Sequence, residues 1–150
     1  MLTYLIDGNN LIGKIPQIFR LQKKNKQTSR EKLVNIISRY FYQKKTNVII
    51  YFDGFENNKI NVLGLKIYYS QKKSADDLIK EHIADSRSAK KIVLVTSDSN
   101  LAQFARKCSG KIISSEEFAA SLSAKNDTNE SYKQDASTDL DEFKQLFGVK

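Results

Sequence analysis

The stretch that decides the fold is Leu2-Thr3-Tyr4-Leu5-Ile6-Asp7-Gly8-Asn9-Asn10, near the start of the 150-residue chain. A short run of β-forming residues leads directly into a polar turn, which predicts a buried strand that ends at Asp7. The pattern returns in VIIYFDG (residues 48–54) and in IVLVTSD (residues 92–98). Apolar strands of this kind are typical of the interior of a parallel sheet.

Amphipathic segments separate these strands. Leu33, Ile36, Ile37, Tyr40 and Phe41 recur at helical spacing, which predicts a helix that Thr28 or Ser29 caps. Ser74 caps a second predicted helix, a third runs through residues 101–108, and Ser114 with Glu117 forms a capping box for a fourth. Further short strands are predicted at residues 65–69 and 111–113.

Strands that alternate with helices predict an α/β domain with a central, mostly parallel sheet covered on both faces. We place this domain at residues 1–122, a length that can bury a full hydrophobic core without disulfides. Residues 123–138 are polar and have almost nothing to bury, so we interpret them as a flexible linker. Residues 139–148 carry an apolar stripe and are predicted to form a short amphipathic helix.

The charge balance points to a polyanionic partner. The chain has 25 Lys and Arg against 17 Asp and Glu, a net charge of +8. A surplus of this size on a small chain favours nucleic acid, although a solvated surface is the alternative. Much of it lies in the basic stretch 14–32, whose contact with RNA stays open at this point.

Several classes of protein are excluded by what the sequence lacks. No apolar run approaches the length that spans a bilayer, and the first residues do not form a signal peptide, so we expect a cytoplasmic protein without a membrane partner. Cys108 and His82 are the only residues of their types, which argues against zinc sites built from several Cys or His ligands.

Five aspartates are expected to meet at one edge of the sheet. Asp7, Asp53 and Asp98 follow strands, and Asp76 and Asp77 begin the helix after the predicted third strand. The carboxyl ends of parallel strands share one rim, and ligands bind there. Converging carboxylates repel each other unless a cation joins them, and oxygen ligands favour Mg²⁺ or Mn²⁺.

Each of these acids also has a purely structural interpretation. Asp-Gly is a turn signal, so Asp53 can be a turn residue. Asp76 and Asp77 can be acids that favour the first turn of a helix, and Asp98 can be a helix cap. The coincidence of all five at one predicted rim favours a functional site.

The four segments YLIDGNNLIG (4–13), IYFDG (50–54), SADDLI (74–79) and VTSD (95–98) resemble the NYN domains of the PIN-like nuclease superfamily, most closely the bacterial YacP-type branch. The resemblance covers residues 2 to about 122 in the family's order. It implies a three-layer α/β/α fold and metal-dependent endoribonuclease activity.

The resemblance also implies roles for individual residues. Asp7, Asp76 and Asp98 match the family's metal-binding acids, and Asn10 matches an asparagine that holds a ligand or a substrate phosphate. Asp77 occupies a neighbouring position that is often acidic, and Asp53 a less constant one with an auxiliary role. The YacP-like pattern commonly has Tyr where this chain has Asn9.

We therefore expect hydrolysis of single-stranded or loop regions of RNA by a metal-activated water, which Asp77 orients or deprotonates. Lys72 and Lys73 are expected to contact substrate phosphates. The alternative is a non-catalytic RNA-binding or interaction module on the same fold, which would bind RNA without cutting it. Docking of the C-terminal helix onto the domain, onto a second copy in a homodimer or onto the ribosome is left open.

Overall fold

The structure is a computed structural model that describes the backbone of residues 1–130 and the side chains of residues 1–124. The strands are β1 (Leu2–Asp7), β2 (Thr46–Phe52), β3 (Lys66–Tyr69), β4 (Ile92–Val95) and β5 (Lys111–Ile113). The helices are α1 (Gly8–Ile12), α2 (Pro16–Lys24), α3 (Lys26–Tyr40), α4 (Ala75–Asp85), α5 (Ser99–Lys107) and α6 (Ser115–Glu130). A 3₁₀ turn at Ala89–Lys91 precedes β4.

The strands form one sheet in the order β3-β2-β1-β4-β5, and every pairing within the described residues is parallel. In the register of the two central pairs, Ile6 lies opposite Ile50 on one side and Val95 on the other. β1, β2 and β4 are therefore the interior strands, which explains their near-continuous apolar runs. The predicted α/β fold with a parallel sheet is confirmed.

The alternation of side chains along the strands builds two separate cores. Ile6, Ile50 and Phe52 belong to the core that lies under α1, α2, α3 and α6. Leu5 and Tyr51, from neighbouring positions in the strands, belong to the core that packs under α4 and α5. Helices on both faces of one sheet make the three-layer α/β/α architecture.

The basic stretch 14–32 contains more helix than its sequence pattern predicts. It holds α2 and the first half of α3, with Pro16 in the first turn of α2. The cap of α3 is Asn25, whose side chain accepts a hydrogen bond from the Thr28 N–H, so the expected cap at Thr28 or Ser29 is wrong. Ser29 is buried, and its hydroxyl bonds back to the carbonyl of Lys26 within the helix.

The carboxyl-terminal part of the chain differs from expectation at one boundary. The Glu117 N–H donates to Ser114 Oγ at the start of α6, as the capping pair predicts. The helix continues to Glu130, beyond residue 122, so the first residues of the predicted linker 123–138 are helical. The rest of that linker and the predicted helix 139–148 lie outside the described residues. No helix among the described residues is long and apolar enough to cross a membrane.

Candidate active site

The carboxyl ends of β1 and β4 form the centre of the candidate site. β1 and β4 are neighbours in the sheet although they are far apart in the chain. From β1 the chain adds β2 and β3 on one side of the sheet and then β4 and β5 on the other side. The crevice between β1 and β4 is therefore the point where the strand order reverses, and ligands bind at such points in α/β sheets. Asp7 is the last residue of β1, and Thr96 follows β4 directly.

Asp7 is largely withdrawn from solvent, and its hydrogen bonds hold it in place. Thr96 Oγ1 donates to Asp7 Oδ2 at 3.0 Å, and the backbone N–H of Asn10 donates to the same carboxyl group. The pKa of Asp7 is raised to about 6: burial is the main cause, the charges of Asp53 and Asp76 add to the rise, and the two hydrogen bonds act against it. These influences place the three carboxyl groups in one electrostatic neighbourhood.

Asp76 contributes a buried oxygen without a partner. Its Oδ2 forms an ion pair with Lys80 Nζ at 3.1 Å, one turn further along α4. Its Oδ1 is buried and has no hydrogen-bond partner. A buried carboxylate oxygen in this state is unfavourable unless a cation or a donor reaches it. Asp76 therefore presents a free oxygen ligand at the rim.

Asp53 connects β2 to the start of α4. Its Oδ1 accepts from the N–H of Ala75, the first residue of α4, at 2.7 Å. Its own N–H donates to Asn9 Oδ1 at 2.9 Å. The predicted auxiliary residue thus holds the helix that carries Asp76, and its carboxylate is engaged with backbone.

Asp77 and Asp98 both serve as helix-capping groups. The Asp77 carboxylate accepts from the Ser74 N–H while Ser74 Oγ accepts from the Asp77 N–H, which completes a capping box. Asp98 Oδ1 accepts from the Leu101 N–H at the start of α5. The backbone N–H of Asp98 also donates to Thr96 Oγ1, the hydroxyl that binds Asp7. Both acids lie at the predicted rim with one carboxylate oxygen committed to a cap.

Asn9 and Asn10 tie the rim together. Asn10 Oδ1 accepts from the Ser97 N–H at 2.9 Å and from Ser115 Oγ at 2.6 Å, so it joins β1 to the ends of β4 and β5. Asn9 reaches the other way, to Asp53 after β2. Asn9, where the YacP-like pattern commonly has Tyr, therefore has a positioning role here. Asn10, predicted to bind substrate, uses its oxygen for structure.

Gly8 permits the close approach of α1 to β2. A Cβ atom at this position would lie 2.7 Å from the carbonyl oxygen of Tyr51 and 2.7 Å from the ring of Phe52. Only glycine fits at such distances without a shift of backbone. Each residue of the Asp-Gly-Asn-Asn segment thus has a structural reason: Asp7 supplies the carboxylate, Gly8 allows the close contact, and the two asparagines accept hydrogen bonds from neighbouring loops.

Arg30 belongs to the site region, although nothing in the local sequence predicts it there. It is buried, and its guanidinium donates to the carbonyls of Asp53 at 2.6 Å and Phe55 at 2.9 Å. It also packs against the rings of Phe52 and Tyr69. Burial lowers the pKa of Arg30. Its position in a basic stretch gave no signal that this one cation is internal.

Glu116 was also missed. Its carboxylate accepts from Ser97 Oγ at 2.8 Å and pairs with Lys14 Nζ at 3.0 Å, and these hydrogen bonds lower its pKa to about 2. Ser97 Oγ in turn accepts from the Ser115 N–H. Glu116 is therefore an ionised acid beside the rim, held by a cation. The only indication in the sequence was that Glu116 precedes Glu117 of the predicted capping pair, which places it in the first turn of α6.

Lys72 and Lys73 lie in the segment between β3 and α4, beside the acids. Both are exposed. Lys73 Nζ pairs with Glu81 at 2.7 Å, and this contact raises the pKa of Lys73. Within the part of the chain that the structure describes, Lys72 has no ion pair. Of the two predicted phosphate contacts, Lys72 is the one whose charge is not already balanced by a neighbour.

The acids approach one another without forming a closed metal cage. Among residues whose side chains are described, no group of three His, Cys, Asp or Glu side chains is arranged to hold a metal ion. The charges of Asp53 and Asp76 act on Asp7 and raise its pKa, and the backbone of Asp98 is joined to Asp7 by the Thr96 hydroxyl. The structure thus brings together Asp7, Asp53 and Asp76 and connects Asp98 to them through Thr96.

Comparison with known proteins supports the fold. Rae1 (YacP) from Bacillus subtilis is 23% identical to this chain with a TM-score of 0.73, covering 96% of this chain and 86% of that one. The structure of its W164L mutant matches with 20% identity and a TM-score of 0.72, covering 97% and 92%. A search of curated proteins found no match.

The match to a family model covers more of the chain than the four motifs do. The model of the YacP-like NYN domain family matches residues 4–146, almost the full length of the sequence. It therefore includes the aspartates at the rim and extends past the described helices. The chain belongs to the YacP-like NYN domain family, which has a nuclease-like fold.

Proposed function

We propose that the protein is a metal-dependent endoribonuclease whose centre is the pair Asp7 and Asp76. The observation that carries this proposal is the state of the two carboxyl groups. Asp7 has a pKa raised to about 6 by burial and by neighbouring acids, and Asp76 Oδ1 is buried without a partner. The fold does not need these two carboxyl groups near each other, and a bound cation would offset the cost of burying them.

The donor set fits a hard divalent cation. Mg²⁺ is commonly held by one or two carboxylates, with water and substrate phosphates completing its shell, so a closed protein cage is unnecessary. Asp7 and Asp76 would hold Mg²⁺ or Mn²⁺, and the oxygen of Asp98 that is not used as a cap is the third candidate. When bound, such a cation lowers the pKa of a water and stabilises charge on a phosphoryl group.

The chain's own residues position these groups. Thr96 fixes the orientation of Asp7, and Asp53 binds the first residue of α4, which fixes the start of the helix that carries Asp76. Lys72 is placed to attract the phosphate backbone. Asp77 would orient or deprotonate the attacking water only if its carboxylate leaves the capping box.

The proposed substrate is single-stranded or looped RNA, as the family and the basic surface favour. Residues 1–120 carry 21 Lys and Arg against 11 acids. Five of these acids are the rim aspartates, so the remaining surface is strongly cationic and suits a polyanion. A cytoplasmic location, a homodimer and ribosome association stay predictions.

The test is cleavage of a mixed RNA pool by the purified protein in Mg²⁺, in Mn²⁺ and in EDTA. We expect cleavage only with metal, and a loss of roughly 100-fold or more in rate for Asp7→Asn and Asp76→Asn, since loss of an outer-shell partner of a metal ligand already costs about 10- to 100-fold. Glu31→Gln, which changes an exposed acid on α3 outside the rim and keeps an acceptor for Gln27, is the matched control and should cleave like the parent.

Three results would contradict the proposal. Cleavage in EDTA at the rate seen with Mg²⁺ would show that the reaction needs no metal. Full activity of Asp7→Asn would show that Asp7 is not part of the active site. RNA that shifts in a gel without being cut under any metal condition would support the alternative, a non-catalytic RNA-binding module.

A further inference from the structure

A groove beside the acidic rim has no role in the function proposed so far. It measures about 690 Å³ and lies between the edge strand β3 and α4, with Tyr51, Phe55, Tyr68, Lys72, Leu78 and His82 among its lining residues. The segment that joins β3 to α4 forms one wall and leads directly to Asp76. This wall is fixed to the loop after β2, because Gly54 N–H donates to Ser70 Oγ and Gln71 N–H donates to the Gly54 carbonyl.

Two aromatic rings of this groove remain open to solvent. Tyr68 is 44% exposed and Phe55 is 58% exposed. Tyr69, the neighbour of Tyr68, points to the other face of the sheet, where it packs near Phe52 and Arg30. The alternation of the strand therefore separates the two tyrosines: Tyr69 is a packing residue, and Tyr68 offers a ring to a ligand.

The floor of the groove is rigid. The Tyr51 and Tyr68 rings lie 5.7 Å apart, and the Tyr51 hydroxyl is hydrogen-bonded to His82 Nδ1 at 2.8 Å. Burial lowers the pKa of His82, which favours the neutral ring, and the ring packs as part of the wall. The packed ring of Tyr51, together with the exposed rings of Tyr68 and Phe55, suits a ligand with a flat, uncharged ring.

Charge is graded along the groove. Lys72 lies in the segment before α4, next to the acidic rim, whereas Asp85 lies nearly three turns along α4, about 15 Å from the helix start. Lys73 is paired with Glu81, which leaves Lys72 to contact an anion. A ligand with a phosphate at one end and N–H donors at the other matches this gradient.

We propose that this groove binds one unpaired nucleobase of the RNA strand whose scissile phosphate lies at the rim. Tyr68 and Phe55 stack on the base, Lys72 contacts the adjoining phosphate, and Asp85 faces the edge of the base. The proposal rests on the proposed function, because it assumes an RNA substrate. It predicts a preference for single strands, since a paired base cannot leave its helix to enter the groove without cost.

The test is binding of the full chain to a fluorescent single-stranded RNA in EDTA, which withholds the metal and prevents cleavage. We expect Tyr68→Ala to weaken binding by roughly 5- to 150-fold, the range that corresponds to loss of one stacked base. Tyr68→Phe keeps the ring and should bind within about two-fold of the parent. Tyr42→Ala, at an exposed tyrosine outside the groove, is the matched control and should bind like the parent.

A series of RNAs with one abasic position each makes the test specific. One position should weaken binding to the parent and to Tyr42→Ala, but not weaken binding to Tyr68→Ala any further. Equal loss at that position in the parent and in Tyr68→Ala would overturn the groove assignment while RNA binding itself stood. A parent protein that binds no RNA would overturn both this inference and the proposed function, and unchanged binding by a folded Tyr68→Ala would overturn this inference alone.

Discussion

At the scale of single residues, Asp7 carries opposing physical effects. Burial disfavours its ionised form, while Thr96 and the Asn10 N–H favour it, and burial wins, so the pKa rises to about 6. A bound cation would favour the ionised form of this carboxyl group and would offset the penalty of its burial. The same hydrogen bonds that partly stabilise the charge also orient it towards the rim.

The raised pKa of Asp7 predicts how stability depends on pH. Its pKa in the folded protein lies above the unfolded value of 3.8, so the stability it contributes is present below pH 3.8 and is lost as pH rises through about 6. The rise corresponds to at most about 3 kcal/mol. Asp7→Asn, which cannot ionise, should therefore be more stable than the parent at pH 8 by about 1–3 kcal/mol, and nearly equal to it at pH 4.

Urea denaturation in EDTA at pH 4, 6 and 8 measures this difference. Addition of Mg²⁺ at pH 8 should stabilise the parent and leave Asp7→Asn unchanged. If the difference in stability between the parent and Asp7→Asn is the same at all three pH values, the pKa of Asp7 is not raised by folding.

At the scale of elements, the loop after β2 acts as the link between α3 and α4. Arg30 of α3 binds two carbonyls of this loop, and the Asp53 carboxylate binds the first N–H of α4. The position of Asp76 thus depends on a helix on the opposite face of the sheet. Two aromatic rings at the guanidinium make Arg30 difficult to replace by lysine.

Replacement of Arg30 should affect both stability and cleavage. Arg30→Met removes two charge-assisted hydrogen bonds and leaves two loop carbonyls without their donor, so we expect a loss of about 2–4 kcal/mol in free energy of unfolding. RNA cleavage by the folded fraction should also fall, because Asp53 no longer holds α4. Urea denaturation and cleavage kinetics measure the two effects.

Arg39→Met is the control for that change, since Arg39 is an exposed residue in the last turn of the same helix. It should change stability by less than about 0.5 kcal/mol. An Arg30→Met protein with parent stability and parent activity would show that the link between α3 and α4 does not depend on this residue.

At the scale of the whole molecule, the charge is unevenly distributed. Residues 1–120 have 21 basic and 11 acidic residues, whereas residues 121–150 have 4 basic and 6 acidic ones. Five of the 11 acids are the aspartates assigned to the rim. The body is therefore a cationic surface around an acidic centre, an arrangement that attracts an RNA backbone and leaves the centre to a metal.

RNA binding should consequently weaken with salt. If three to five phosphates contact the basic surface, the logarithm of the association constant should fall against the logarithm of salt concentration with a slope of about −2 to −4. Titrations between 50 and 300 mM KCl with a single-stranded RNA would measure it, with Lys72→Ala expected to reduce the slope by somewhat less than one. A slope near zero would contradict a binding mode that depends on the basic surface.

Much of the fold was predictable because its signals are local. Apolar runs that end in Asp-Gly or Thr-Ser-Asp mark the three interior strands, and capping residues mark the starts of α4 and α6. The start of α3 was predicted too late, because Thr28 and Ser29 are good capping residues and only the backbone shows that Asn25 precedes them. α2 was hidden by its basic composition.

The candidate site was predictable in position but not in contacts. A parallel sheet necessarily gathers the carboxyl ends of its strands, so Asp7, Asp53, Asp76, Asp77 and Asp98 could be assigned to one rim from the sequence. Which oxygens are free depends on neighbours distant in the chain. Asp77 and Asp98 each engage a cap, and Asp53 a backbone N–H, whereas Asp76 keeps one buried oxygen unpartnered.

The sequence by itself thus determined the α/β class, the rim and the basic surface, because hydrophobic periodicity, strand ends and net charge are properties of short segments or of composition. Only the tertiary structure decided the burial of Arg30, the hydrogen bonds made by Asn9 and Asn10, and which of the two tyrosines, Tyr68 or Tyr69, is the exposed one. These depend on which segments pack together, and burial and hydrogen-bond partners across such distances are not encoded in any local pattern.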